Sequence, residues 1–342
     1  MLAIAPLTDI LRSGQSLSSE QMRRAIEAML TGELPPTEAR AFLEALADKG
    51  ETVDEIVGAA EALRQSMVRI TSRHAAIADT CGTGGDGAKT FNISTAAAIV
   101  AAAAGVPVAK HGNRKITSST GSADVLGELG INLEAPPAVA QQCLEEIGLC
   151  FCFAPYFHPA MRHVGPVRRE IGRPTIFNRL GPLANPAGAT HQVLGVGDAS
   201  LQSAMAEALQ RLGTTRSLVV RGEDGVDEIS LAGPTRVLEV TPQAIIEHHW
   251  EPSDFGVQPA PRTDLLAETP AESAECIREV LRGESSPKRD VVVINAAATV
   301  WLTGLEPTLQ DAVRRCAAAI DSGQARRVVE SLATHTHSSA ND

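Results

Sequence analysis

Aromatic residues are scarce in this chain of 342 residues, which contains one Tyr, two Trp and seven Phe. Aliphatic side chains must therefore fill any core, and a hydrophobic content of 44% is sufficient for one. Long apolar runs are also lacking. The longest spans residues 96–108 and is interrupted by Gly105 and Pro107, so we expect no membrane span. A chain of this length favours two domains.

Basic residues are outnumbered, with 30 Lys and Arg against 41 Asp and Glu, which gives a net charge of −11. This balance argues against a nucleic-acid or membrane partner, because both require a basic surface. The six cysteines are scattered without a C-x-x-C pair, which favours free thiols over a disulfide or zinc scaffold. The first residues show no secretory-signal pattern. We therefore expect a cytoplasmic location.

Residues 1–73 contain helical patterns only, which predicts a small all-helical N-terminal domain. Ser18 with Gln21, and Thr52 with Glu55, have the spacing of capping boxes at helix starts. These motifs predict helices over 20–30 and 56–70, and Pro36 opens a further helix through residue 47.

Beyond residue 74, short apolar runs alternate with helical patterns. Such alternation predicts an α/β domain over 74–342, with a central, mainly parallel sheet flanked by helices. Examples of the runs predicted as strands are 75–81, 106–109, 150–154, 217–220 and 291–294. Ligands of such sheets bind at the carboxyl ends of the strands.

The stretch 79–126 follows the first of these strands and is rich in loop-forming residues. Gly82, Gly84, Gly85 and Gly87 allow positive φ angles, so that several N–H groups can point at one anion. Ser94 or Thr95 is expected to cap the next helix, whose N-terminus also favours anions. The basic segment 110–114 and the hydroxyl-rich segment 117–120 follow the next strand. Two such loops predict a ligand with more than one phosphate.

Two common nucleotide motifs fit this stretch poorly. Gly82, Gly84 and Gly87 match the dinucleotide fingerprint G-x-G-x-x-G, but the next strand ends at Lys110, where an acidic ribose acceptor would be needed. The P-loop pattern also fails, because Ala88 places Lys89 one position late.

Four segments, GTGGDG, TFNIST, KHGNR and GSADVL, occur between Gly82 and Leu126 in an order and spacing that resemble the anthranilate phosphoribosyltransferases. The resemblance continues through FAPYFHPAMRHVGPVRREIG, TIFNRLGPLANPA and GEDGVDEIS, and so covers nearly the whole chain. Pyrimidine nucleoside phosphorylases of the same superfamily are an alternative, but Asp86, the segment 111–113 and Arg168 favour the transferases. A non-catalytic, nucleic-acid-binding relative of the fold is a second alternative, against which the acidic charge and the Asp227–Glu228 pair count.

The resemblance implies transfer of the phosphoribosyl group from 5-phosphoribosyl 1-pyrophosphate (PRPP) to the amine of anthranilate, in tryptophan biosynthesis. It also implies Mg²⁺, as two ions bound with PRPP, and a homodimer joined through the helical domain. That domain would be completed by helices from about 155–185. The implied PRPP-binding residues are Gly82, Thr83, Gly85, Asp86, Thr90, Asn92, Ser94, Thr95, Lys110, Asn113, Ser118, Ser119 and Ser122.

The acceptor and metal sites are implied in the same way. The residues matched to anthranilate binding are Gly82, His111, Asn113, His158, Arg168 and Pro182, and those matched to the metal are Ser94, Asp227 and Glu228. An arginine fork suits a carboxylate such as that of anthranilate. No catalytic residue is assigned, and His111 is a candidate proton acceptor. Three residues depart from the usual pattern of the family: Pro174 replaces a common arginine, Arg179 interrupts an apolar run, and Arg221 replaces a common histidine.

Overall fold

The chain begins with a bundle of four helices, α1 (Ala5–Arg12), α2 (Ser19–Leu30), α3 (Pro36–Lys49) and α4 (Val53–Ser66). The computed structural model describes residues 4–114 and 120–338. Both predicted capping boxes are present, since Ser18 and Thr52 accept from the backbone N–H groups of Gln21 and Glu55. Helix α4 ends at Ser66 rather than at residue 70, because the chain turns extended at Met67 and the N–H of Val68 bonds to the carbonyl of Phe157.

A seven-stranded sheet forms the centre of the rest of the chain. Its strands are β1 (Ala78–Gly82), β2 (Val108–Gly112), β3 (Leu149–Phe153), β4 (His191–Gly195), β5 (Arg216–Gly222), β6 (Thr235–Val240) and β7 (Ile245–Trp250). The order across the sheet is β3-β2-β1-β4-β5-β6-β7. Strands β1 to β5 are parallel, whereas β6 and β7 form an antiparallel hairpin at one edge. The predicted α/β fold with a mainly parallel sheet is therefore confirmed.

One predicted strand is wrong. Residues 291–294 lie within a helix, α13 (Pro287–Leu302), whose N-cap is Ser286. Nearly every residue from Val291 to Leu302 is buried, so the helix has no polar face that would reveal its period. Such a continuous apolar run has the same local pattern as a buried strand.

Helices cover both faces of the sheet. They are α5 (Ile93–Ala103), α6 (Ser122–Glu128), α7 (Pro137–Glu146), α8 (Ala154–Phe157), α9 (Gly165–Ile171), α10 (Phe177–Leu180), α11 (Gln202–Arg211), α12 (Pro270–Leu281), α13, α14 (Leu309–Asp321) and α15 (Gln324–Ser338). Helix α5 packs against α13, α14 and α15 on one face. Strand residues alternate between two cores: Leu218 and Val220 pack on that side, and Val219 packs with the bundle and α11.

No helix among the described residues is long and apolar enough to span a membrane.

The capping residue predicted for α5 is also wrong. The N-cap is Asn92, and its side chain makes no capping bond. Its Oδ1 instead accepts from the hydroxyls of Thr120, at 2.6 Å, and Ser273, at 3.0 Å. Tertiary partners that are distant in sequence therefore determine the orientation of this side chain.

The chain order reverses between β1 and β4, since β2 and β3 lie on one side of β1 and β4 lies on the other. Such a reversal opens a crevice at the carboxyl ends of the two adjacent strands. Gly82 and Gly195 are paired in register at those ends.

Candidate active site

The loop after β5 crosses directly over the paired glycines. A Cβ on Gly82 would lie 2.4 Å from Asp227 Oδ2, and one on Gly195 would lie 1.7 Å from the carbonyl oxygen of Asp227. Position 195 therefore requires glycine, because the clash there is with backbone, whereas a side chain at position 82 would displace the Asp227 carboxylate. The turn that follows β1 takes positive φ angles at Gly84 (66°), Gly85 (81°) and Gly87 (67°). These are three of the four glycines for which the sequence suggested this conformation, and Gly82 does not adopt it.

Asp227 and Glu228 are held by backbone donors from two different segments. Gly84 N–H donates to Asp227 Oδ2 at 3.2 Å, and Ser94 N–H, in the first turn of α5, donates to Glu228 Oε1 at 3.1 Å. Burial raises the pKa of both carboxyls, and the charge of Asp86 raises the pKa of Asp227 further. A nearby cation would stabilise the ionised form of these two adjacent, buried carboxyl groups.

Lys110 is a buried basic residue that interacts electrostatically with both carboxylates. Its Nζ donates to the carbonyl oxygen of Thr80 and, at 3.4 Å, to Ser94 Oγ. Burial lowers the pKa of Lys110, and the charge of Asp79 opposes that shift. Ser94 thus touches Lys110 through its hydroxyl and Glu228 through its N–H.

The three residues matched to the metal fit a magnesium ion that is bound together with substrate. Within the described ranges, no group of three or more His, Cys, Asp or Glu side chains could hold a metal alone. Asp227, Glu228 and the Ser94 hydroxyl supply only part of an octahedral shell. Mg²⁺ typically keeps several waters and uses one or two carboxylates plus substrate phosphates, so this partial set is suitable.

A cavity of about 630 Å³ lies over the ends of β1 and β2 and is called the donor cavity below. Its lining includes nine of the residues predicted to bind PRPP: Gly82, Thr83, Asp86, Thr90, Asn92, Ser94, Lys110, Asn113 and Ser122. Asp227 and Glu228 line it as well. Gly85 and Thr95 do not; Thr95 is fully buried. Ser118 and Ser119 lie outside the described residues.

A second cavity of about 710 Å³, the acceptor cavity, opens between the sheet and the segment 154–182. His158, Arg168 and Pro182, which the resemblance matched to anthranilate binding, line this cavity. Both cavities are bordered by Cys81, Gly82, Thr83, His111, Gly112 and Asn113. Two ligands, one in each cavity, would therefore meet at these residues.

Arg168 presents its guanidinium to the acceptor cavity. It donates to Asn178 Oδ1 at 3.2 Å and lies over the Phe177 ring at 5.6 Å. Burial lowers its pKa. Among the described residues, no carboxylate forms an ion pair with Arg168, so its remaining donors are available to an anionic ligand.

His111 and His158 form a buried pair at the end of the acceptor cavity. His111 Nδ1 lies 2.9 Å from the carbonyl oxygen of Gly181, and the Nε2 atoms of the two rings are 3.1 Å apart. Burial lowers the pKa of both imidazoles, that of His158 to about 3. Both rings are therefore neutral, with His111 donating from Nδ1 and accepting at Nε2. Both nitrogens of His111, the candidate proton acceptor, are thus occupied.

Several residues that position the site had no motif to reveal them. Asp79 is buried in β1 and accepts from His111 N at 3.2 Å and from Asn185 Nδ2 at 2.8 Å. Gln192 donates to the carbonyl oxygen of Pro182 at 2.7 Å. The one local signal was a carboxylate within an apolar strand. Its partners are more than thirty residues away, which no local pattern can indicate.

The three unusual residues lie outside both cavities. Arg179 Nη1 is 2.9 Å from Glu51 Oε1 in the turn between α3 and α4. Arg221 donates to the carbonyl oxygen of Gly197 at 3.2 Å. Pro174 is exposed and precedes Thr175, whose N–H bonds to Asn178. None of them lines the donor or acceptor cavity.

A helical bundle joined to an α/β domain, with a glycine turn after its first strand, is the architecture of a class of glycosyl transferases. Residues 5–67 match the model of the helical bundle domain of the glycosyl transferase family, and residues 74–326 match its a/b domain. The chain is 49% identical to the anthranilate phosphoribosyltransferase of Symbiobacterium thermophilum, over 95% of each chain.

Two solved structures give the same result. The anthranilate phosphoribosyltransferase of Thermus thermophilus superposes with a TM-score of 0.90 at 42% identity, over 96% of this chain and 98% of that chain. The Saccharomyces cerevisiae enzyme, in complex with PRPP and Mg, gives a TM-score of 0.90 at 29% identity over 98% of each chain. The chain belongs to the anthranilate phosphoribosyltransferase family. The predicted family, fold class and enzyme activity are confirmed.

Proposed function

We propose that PRPP binds in the donor cavity and anthranilate in the acceptor cavity, and that phosphoribosyl transfer occurs where the two cavities meet. The observation that carries this proposal is the shared border, which includes Gly82, His111 and Asn113. A donor sugar carbon and an acceptor amine would face each other there without crossing a protein wall. Holding two reactants in this way accelerates transfer by removing the need for their chance encounter.

On the donor side, backbone N–H groups of the glycine turn, including that of Asp86, bind the pyrophosphate end of PRPP. Asn92, Ser94 and Lys110 bind the phosphoribosyl part, with Thr90, Asn113 and Ser122. Ser118 and Ser119 are assigned here by the resemblance alone, as are Gly85 and Thr95. Positive charge develops on the sugar and negative charge on the departing pyrophosphate, so fixed donors at the pyrophosphate favour the reaction.

Asp227, Glu228 and the Ser94 hydroxyl hold magnesium, as two ions that arrive with PRPP. Magnesium supplies charge neutralisation at the leaving pyrophosphate. The chain holds the two carboxylates in place through Gly84 N–H and Ser94 N–H. The assignment is supported by the raised pKa of both carboxyls, which a nearby cation would reverse.

On the acceptor side, Arg168 binds the carboxylate of anthranilate, while Asn113, His158 and Pro182 line its path. The lack of a carboxylate partner for Arg168 among the described residues supports this role. The amine of anthranilate is a neutral nucleophile, so its attack requires no strong base. One proton leaves the amine, and His111 can accept it at Nε2 only after His158 N–H has moved away.

We further propose a cytoplasmic homodimer that acts in tryptophan biosynthesis and is joined through its helical domain. This domain comprises residues 1–73 and segments from about 155–185, and the α/β domain comprises 74–342. Val167 in α9 and the preceding Val164 pack in the same core as Phe42 and Leu63 of the bundle, which supports the discontinuous boundary. Six free cysteines suit a reducing compartment. Light scattering of the purified chain tests the dimer.

The acceptor assignment is tested by replacing Arg168 with Ala and measuring initial rates at varied anthranilate and varied PRPP. We expect KM for anthranilate to rise by about tenfold or more, because a charge-assisted hydrogen bond is lost, and KM for PRPP to stay unchanged. Arg173→Ala is the matched control, since Arg173 is near in sequence but pairs with Asp48 outside the cavity. An equal change in both variants would refute the assignment.

A further inference from the structure

Lys89 has an unusual backbone conformation next to the glycine turn. With φ at 56°, it is the single non-glycine residue with positive φ among the residues that the structure describes. The left-handed region is unfavourable for a side chain such as lysine, and glycine would adopt it more easily. Residues held in this way often contribute to a site.

The segment 265–267, which is distant in sequence, holds this conformation in place. Ala267 N–H donates to the carbonyl oxygen of Lys89 at 3.0 Å, and Phe91 N–H donates to that of Leu265 at 2.8 Å. Between these bonds, Thr90 and Leu266 form an isolated antiparallel bridge. The backbone from Lys89 to Phe91 is therefore fixed by hydrogen bonds to the segment 265–267.

The side chain of Lys89 lines the donor cavity without a bond to the protein. Of the basic residues that line this cavity within the described ranges, Lys110 donates to Thr80 and Ser94, and Arg114 lies 3.5 Å from Asp124. Lys89 makes no side-chain hydrogen bond or ion pair with any described residue and is exposed. The Lys89 ammonium group therefore has no hydrogen-bond or ion-pair partner among the described residues and is available to a ligand in this cavity.

The acidic side chains that line the donor cavity oppose the binding of an anionic ligand, so a cation without a protein partner is important there. Asp86, Asp227, Glu228 and Glu268 all line it, so the protein contributes more acidic than basic groups from its described residues. A ligand that carries several phosphates would be repelled by these carboxylates unless cations compensate. Magnesium would balance the pair Asp227 and Glu228, which leaves Asp86 and Glu268 to be balanced by the protein itself.

We propose that Lys89 binds the pyrophosphate end of PRPP through its ammonium group. The proposal rests on the function given above and adds a residue to the donor site. The pyrophosphate end is favoured because Lys89 directly continues the glycine turn, and Gly84 in that turn contacts Asp227. A glycine at position 89 would allow the same backbone path but would supply no charge. The positive charge of the Lys89 side chain therefore explains why a lysine, and not a glycine, stands at this strained backbone position.

Three substitutions separate the charge from the backbone. Lys89→Asn removes the charge with a residue that tolerates the left-handed region, Lys89→Gly removes the charge and the strain, and Lys89→Arg keeps the charge. Calorimetry with magnesium pyrophosphate measures binding without turnover. Steady-state kinetics give KM for PRPP and for anthranilate. The thermal unfolding midpoint of each variant shows that it is folded.

We expect Lys89→Asn and Lys89→Gly to weaken pyrophosphate binding by about fivefold or more and to raise KM for PRPP by a similar factor, with KM for anthranilate unchanged. Lys89→Arg should stay close to the wild type. Unchanged pyrophosphate affinity in folded Lys89→Asn would overturn the proposal, as would wild-type affinity in Lys89→Gly. A wild type that binds pyrophosphate but produces no phosphoribosyl-anthranilate would refute the proposed function instead, and calorimetry would still decide the role of Lys89.

Discussion

The Nε2 atoms of His111 and His158 lie 3.1 Å apart, so one imidazole must donate a hydrogen to the other. His111 Nδ1 already faces the carbonyl oxygen of Gly181 and carries a hydrogen there. Therefore His158 donates from Nε2, and both rings are neutral. A proton added to this pair would place a charge in a buried position where the described residues offer no carboxylate in contact with either ring.

The neutral pair should make the folded state sensitive to acid. The pKa of His158 is lowered from 6.5 to about 3 by burial and by His111, so the unfolded chain binds a proton below pH 6.5 that the folded chain refuses. Stability is then present above pH 6.5 and falls as the pH decreases towards 3. Between pH 7 and 5, this residue should account for roughly 1–2 kcal/mol of lost unfolding free energy.

Urea unfolding at both pH values checks this expectation. The substitution His158→Asn keeps a hydrogen-bond donor for His111 but cannot bind a proton. The variant should lose less unfolding free energy than the wild type between pH 7 and 5. Equal losses in the two proteins would mean that His158 does not contribute to the acid sensitivity.

Gly82 should control how well the chain binds magnesium. In Gly82→Ala, the new Cβ would meet Asp227 Oδ2 at 2.4 Å and displace that carboxylate. We expect the Mg²⁺ concentration for half-maximal activity to rise about tenfold, as for other changes that disturb the support of metal ligands. Gly233→Ala is the control, because its Cβ would meet nothing within 4 Å. A normal Mg²⁺ response in Gly82→Ala would contradict the proposed role of Asp227.

Arg179 should stabilise the contact between the helical bundle and the segment at the acceptor cavity. Its partner Glu51 has only 3% of its side chain exposed, and burial raises the pKa of that carboxyl against the opposing effect of Arg179. Arg179→Met leaves this carboxylate without its partner and should cost about 3 kcal/mol in urea unfolding.

The exposed pair Arg211 and Asp54 provides the comparison for Arg179, since both of its side chains are about half exposed. Arg211→Met should change the unfolding free energy by no more than about 0.5 kcal/mol. Similar losses of unfolding free energy in Arg179→Met and Arg211→Met would indicate that the buried Arg179–Glu51 pair contributes no more to stability than the exposed pair.

Local sequence signals predicted those parts of the fold that depend on local physics. The capping boxes at Ser18 and Thr52 and the positive-φ turn at 84–87 depend on neighbouring residues alone. Strand β4, which contains His191 and Gln192, was not predicted, nor was the hairpin of β6 and β7. Helix α13 was mistaken for a strand because it is buried on all sides.

The residues of the candidate site also divide into those that local motifs reveal and those that only the folded structure reveals. Its glycine turn, Lys110 and Arg168 lie in contiguous motifs, so the resemblance identified them. Asp79 and Gln192 act through contacts with residues from other parts of the chain, which only the folded structure brings together. Lys89 appeared in the sequence only as a misplaced P-loop lysine. Its backbone angle and its lack of a side-chain partner among the described residues became visible in three dimensions.

The proposal that two substrates meet at the shared border of the cavities can be tested by following the fluorescence of anthranilate mixed with the purified chain, PRPP and Mg²⁺. If the two cavities bind these substrates and meet at the transfer point, the fluorescence should fall as phosphoribosyl-anthranilate forms, and EDTA should stop the fall. Constant fluorescence from the folded chain at high concentrations of both substrates and Mg²⁺ would contradict the account. Phosphate-dependent cleavage of thymidine or uridine by the same preparation would then assign it to the phosphorylases.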